Sequence, residues 1–183
     1  PSGVTGAIPP MQAFWVRAKT GGGRLTFDNT MRSHGSGSNP LKAPANKSNE
    51  QKLIRLQVSN GTNTDETVVY FNSKASDNFD SFDSPKMTNN NNVVPEIYTL
   101  AGNEKLVING LNDSNWERVI PLGFRSGEAN NFTIKLGEFQ NFDNSARVLL
   151  KDNQENTEVD ITSDDSYSFS SDATNTTTRF NLI

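Results

Sequence analysis

The stretch "SDNFDSFDSP", residues 76 to 85, sets Asp77, Asp80 and Asp83 three positions apart, with Asn78 and Ser81 among them. Carboxylate and amide oxygens are the hard ligands that calcium accepts. In an extended chain, however, steps of three residues part the carboxylates by roughly 10 Å, so one ion would need the segment tightly folded. Nor does the run follow the Asp-x-Asp-x-Asp-Gly order of a calcium loop. The alternative is structural: the Asp side chains close Asx turns while Phe79 and Phe82 tuck into the core. The turn is the preferred reading, and calcium on Asp77, Asp80 and Asp83 stands as its alternative. A second cluster, "KDNQENTEVD" at 151 to 160, carries the same choice with a stronger case for a hairpin.

Other chemistries find fewer residues. His34 is the single histidine and sits in "MRSHGSGS", a Gly and Ser context with nothing to hold a nucleophilic triad. Zinc would need a second imidazole or a thiolate, and the chain has no cysteine. Acids are plentiful: Asp65, Glu66, Glu96, Glu104, Glu117, Glu128, Glu138 and Glu158 fall at expected strand ends or edges. A glycosidase requires only two carboxyls facing each other across a cleft, but acids at strand edges also blunt those edges against unwanted pairing. No catalytic residue is assigned. Flat aromatic rings stack on sugar faces, which makes Trp116, in the turn-like "NDSNWERV", and Trp15, in "AFWVRA", the ligand-binding candidates.

These residues need a scaffold, and the pattern for one is period-2. Apolar and polar residues alternate in short runs at 12–18, 24–28, 52–59, 66–71, 96–100, 105–109, 117–124, 131–139, 147–152, 166–170 and 178–183. Gly, Asn, Asp, Ser and Pro punctuate them about every ten residues, as in sandwiches and barrels. The low hydrophobic fraction of 33% fits strands with one wet face. No window makes a convincing helix: the best, 74 to 88, holds Pro85 and backbone-competing Ser, Asp and Asn. A net charge of -4 without a basic stripe argues against nucleic-acid binding. No apolar run reaches the roughly 20 residues of a membrane helix, so no membrane insertion is expected.

The string "IPPMQAFWVRA", "LTFDNTMR", "IRLQVSNGTNTDETVVYF", "FDSFDSPK", "PEIYTL", "LVINGL", "IPLGF", "VLLKD" and "YSFSSDATNTTTRFNLI" resembles the region that precedes the C-terminal sorting domain in large Bacteroidota proteins exported by the type 9 secretion system. The resemblance spans most of residues 8 to 183. It implies a mostly β accessory region of surface-anchored or released proteins, with a sorting domain removed after a strand like "RFNLI".

The expectation is an all-β fold: an antiparallel sandwich, jelly-roll or immunoglobulin-like, of roughly ten strands with long loops. Residues 1–30 form a short β segment that completes or remains from a preceding domain, 31–50 a linker-like loop, and 51–183 the sandwich. The functional expectation is a non-catalytic module of a secreted or cell-surface protein, on the outer face of the outer membrane, serving adhesion or carbohydrate contact. A structural spacer is the alternative, and a glycoside hydrolase the third reading. Partners would be neighbouring domains of the parent chain, polysaccharide or other surface proteins, and the secretion machinery during export. No cofactor is expected apart from the calcium alternative.

Overall fold

Alternation of buried and half-buried side chains along Leu53–Ser59 shows the logic of the structure: Ile54, Leu56 and Val58 point inward, while Arg55 and Gln57 face the other way. The computed structural model describes residues 16, 18, 20–32, 51–115, 117–162 and 166–183. The chain divides into two units, Pro1–Ser48 and Asn49–Ile183.

In the first unit the described part is short. Residues 24–28, expected as a strand, are not one; Leu25 and Phe27 are exposed, and Asn29–Met31 form a 3-10 turn. Asp28 caps that turn, its carboxylate accepting the Thr30 amide at 2.8 Å. A local side-chain to backbone bond of this kind competes directly with a strand ladder, and five residues with no described strand beside them do not outweigh it. Most of the expected strand at 12–18 lies outside the described residues.

The second unit is all β. Its strands are β1 (Leu53–Ser59), β2 (Thr64–Phe71), β3 (Ser84–Pro85), β4 (Glu96–Ala101), β5 (Glu104–Leu111), β6 (Ile120–Ser126), β7 (Asn130–Gln140), β8 (Leu149–Asp152), β9 (Thr157–Asp160), β10 (Ser166–Ser171) and β11 (Thr174–Leu182). They form one sheet in the order β10-β7-β1-β2-β5-β4-β6-β11-β8-β9, with β3 on β5. Every pairing is antiparallel except β2 with β5, which is parallel. The two layers are therefore halves of a single hydrogen-bonded sheet that bends back on itself. Among the described residues no helix is long and apolar enough to cross a membrane.

The core lies between the halves. Phe124 of β6 meets Phe132 of β7 and Phe169 of β10 edge-on at 4.9 and 5.1 Å, and Phe180 of β11 meets Phe169 at 5.0 Å. Such edge-to-face pairs set positive ring edges against negative ring faces and add to the gain from burial. Around them pack Leu56, Ile97, Leu122, Ile134, Leu150 and Leu182.

A charged group is buried beside these rings. Asp152 on β8 is 1% exposed, and its Oδ2 accepts from Arg179 Nε (3.3 Å), Arg179 Nη2 (3.1 Å) and the Tyr167 hydroxyl (3.1 Å). Its Oδ1 accepts the amides of Gln154 and Glu155 in the β8–β9 turn, where Asn156 takes positive φ. The Arg179 guanidinium lies over the rings of Phe169 and Phe180. Burial, followed by the Asp152 carboxylate, pushes the Tyr167 phenol up to about 12 and keeps it a donor. The hairpin reading of "KDNQENTEVD" is thus realised, with Asp152 facing inward to the core instead of outward to an ion.

Candidate functional site

The "FDSFDSP" segment folds by satisfying its own backbone. Asp80 Oδ1 accepts the Phe82 amide at 2.7 Å, an Asx turn, and Oδ2 accepts the Ser76 amide at 2.8 Å. Asp83 Oδ2 accepts the Asp80 amide and its Oδ1 the Gly110 amide, both at 2.8 Å, which clamps the loop to β5. Residue 110 has to be glycine for this approach: a Cβ there would come within 2.8 Å of the Phe82 Cβ and 3.0 Å of its carbonyl oxygen. The Tyr70 hydroxyl donates to that carbonyl at 2.7 Å. Burial, then the charges of Asp83 and Asp80, raises its pKa, so it stays a neutral donor.

Asp77 leaves this group. Its Oδ1 pairs with Arg118 Nη1 at 2.6 Å and accepts the Asn112 amide at 3.3 Å. The structure thus brings Asp80 and Asp83 together and sends Asp77 elsewhere. Among the described residues no group of three His, Cys, Asp or Glu is placed to hold a metal ion. The expected inward turn of both phenylalanines holds for one of them: Phe82 is half-buried, but Phe79 is 46% exposed because the Asx turn at Asp80 points it out. With all four oxygens of Asp80 and Asp83 engaged by amides, the melting temperature should be the same with calcium as with chelator. A rise of several degrees with calcium would instead assign the ion to the native state, since a ligand of that state must stabilise it.

Arg118 organises the neighbouring loop. Besides Asp77, it donates to the carbonyls of Asn115 (2.8 Å) and Asn112 (3.0 Å), and lies over the Phe71 ring. These bonds tie Arg118 to 112 and 115, and β6 starts at Ile120 and not at 117. Two cavities meet at Arg118, Val119 and Ile120. The larger, about 640 Å³, is walled by Ile54, Phe71, Phe139, Phe142 and Leu182, with Phe139 and Phe142 stacked at 4.4 Å. The smaller, about 260 Å³, is lined by Asp77, Asn109, Ser114, Asn115 and Arg118 against Leu111 and Pro121.

A family model for a domain of unknown function, DUF8693, matches residues 1–183. The chain belongs to this family. No curated protein and no solved structure matches it.

Within the DUF8693 chain, four of the eight acids considered for catalysis, Asp65, Glu66, Glu96 and Glu138, stand in ion pairs. Arg55 of β1 bridges Glu66 of β2 and Glu138 of β7, Lys86 binds Asp65, and Arg125 meets the buried Glu96 at 3.3 Å. Trp15, Trp116 and His34 lie outside the described residues. Sequence reasoning missed Arg118 and Asn109. Arg118 carries no local signal, because its partner Asp77 is remote in the chain. Asn109 entered the sequence reading only as the last residue of the run at 105–109, and it is 2% exposed.

Proposed function

We propose that this DUF8693 domain is a non-catalytic binding module of an exported cell-surface protein, contacting carbohydrate with the loops around Arg118. The observation that carries the reading is the pair of cavities sharing Arg118. One, of the size that takes small ligands, has apolar walls together with the charged Lys52, Glu117, Asp143 and Arg147, and the other is lined with amide, hydroxyl and charged groups. A braced loop is suited to this role, because side chains already held in place lose little freedom on binding. The surface location and the type 9 export route rest on the segment resemblance.

The test is affinity electrophoresis of the 183-residue chain against a panel of soluble polysaccharides. At least one should retard the wild-type chain, and Arg118→Ala should weaken that retardation at least tenfold while the far-ultraviolet spectrum stays that of a β protein. A panel without any retardation would turn the reading toward a spacer that packs against neighbouring domains.

A further inference from the structure

We infer that the ligand is amphiphilic, a neutral sugar carrying an alkyl or acyl chain, and that the larger cavity holds the chain. This rests on the carbohydrate reading above and names the class of sugar the domain would bind. The larger cavity, about 640 Å³, reaches into the core: Ile54, Phe71, Ile120, Val148 and Leu182 of its wall are buried members of the central apolar cluster. Phe139 and Phe142 extend the wall, their rings 4.4 Å apart and nearly parallel, and Phe142 meets the Phe71 ring edge-on at 5.9 Å. Protein interiors seldom leave a gap larger than a water molecule, and side chains facing such a gap lose packing partners. Water fills an apolar cavity poorly, whereas a hydrocarbon group enters it readily. The chain of an amphiphile restores those contacts.

The charged residues at this cavity decide what the chain can be attached to. Lys52, Arg118 and Arg147 line it, but Arg118 is paired with Asp77, and Arg147 with Asp160 at 3.6 Å. Lys52 holds its ammonium over the Phe142 ring. Glu117 and Asp143 line the cavity too, and both are exposed. With the two ion-pair partners counted, three cations meet four carboxylates, so the carboxylate of a free fatty acid gains no net attraction. A neutral head avoids the repulsion. It has a place next door: Arg118, Val119 and Ile120 also line the smaller cavity, where Ser114, Asn115 and the Asp77–Arg118 pair offer hydrogen bonds. Val119 is 58% exposed at this shared rim, an apolar side chain open to solvent where chain and sugar would join.

The experiment is titration calorimetry of the full 183-residue chain with n-alkyl glucosides and galactosides from methyl to hexyl, below their micelle concentrations. Hexanol and hexanoate serve as controls without the sugar. Affinity should rise about fourfold with each methylene that enters the cavity. The hexyl glycoside should bind at least tenfold more tightly than either control. Ala146→Phe, which puts a ring into the larger cavity, should flatten the rise with chain length. Should that variant fail to fold, Val119→Asp, which sets a charge on the exposed rim, should flatten it in the same way. No binding by any glycoside, a gain below tenfold from methyl to hexyl, or an undiminished rise in a folded variant overturns the inference. Equal binding of hexanol also overturns it, because the sugar then contributes nothing. In each of these cases, polysaccharide retardation weakened by Arg118→Ala leaves the carbohydrate reading standing, and a chain that ignores every polysaccharide takes that reading down as well.

Discussion

Asp152→Ala should lower the unfolding free energy by about 3–5 kcal/mol, the usual loss when one partner of a buried ion pair is removed. The loss comes less from the missing attraction than from what stays behind. Arg179, 3% exposed, would keep its charge without a counter-ion, and the Tyr167 hydroxyl and two turn amides would lose their acceptor. The faces of Phe169 and Phe180 would hold part of the cation's energy, which keeps the loss finite. For a chain of this size each kcal/mol shifts the melting temperature by about 2–4 °C, so a fall on the order of 10 °C is expected. Urea denaturation would measure it directly, and a loss below about 1 kcal/mol would show that water reaches Arg179. Adding Arg179→Met to Asp152→Ala should restore a substantial part of the loss, because an apolar pair of similar bulk leaves no charge to desolvate.

Gly123→Ala is the second large effect, about 2–3 kcal/mol, at the upper end for overpacking a filled interior. Gly123 of β6 stands directly opposite Tyr98 of β4, whose ring lies across it. An added Cβ would overlap Tyr98 Cε2 and Cζ. The ring has nowhere to go: it is 1% exposed, its far face carries Lys105 Nζ at 4.6 Å from the centroid, and its hydroxyl meets Asn175 at 3.3 Å. Tyr98→Ala alone should cost as much or more through the cavity it leaves. In the double variant the new methyl enters that cavity, so the combined loss should be clearly smaller than the two single losses together. Strict additivity, read from denaturation midpoints, would mean the two residues do not share the space the geometry assigns them.

Much of the fold was legible because half-buried strands advertise themselves. The runs around Leu53–Ser59, Asn130–Gln140 and Ser166–Ser171 alternate as pleated strands must, and they appear within a residue or two of where alternation puts them. β3 was illegible because it is two residues long and contains Pro85, and β9 because "TEVD" has too little apolar surface to alternate. The parallel β2–β5 pairing could not be read, since period-2 says which face is buried but nothing about which strand lies alongside. The same division holds at the site. The turn at Asp80 is local, an oxygen meeting an amide two residues on, and "FDSFDSP" signals it directly. The fate of Asp77 depends on Arg118, 41 residues on, and so leaves no mark in its own neighbourhood.

The strand order also bears on how fast the domain folds. β1 sits between β2 and β7, yet β2 to β6 all intervene in the chain before β7 is reached. Topologies built on such remote pairings close large loops before the contacts reward them, and they fold in milliseconds to seconds where local ones take microseconds. As the chain emerges during synthesis, β1 and β2 can form a hairpin early. The other edge of β1, with Ile54, Leu56 and Val58 along it, stays open to a strand of any other chain until β7 arrives to cover it.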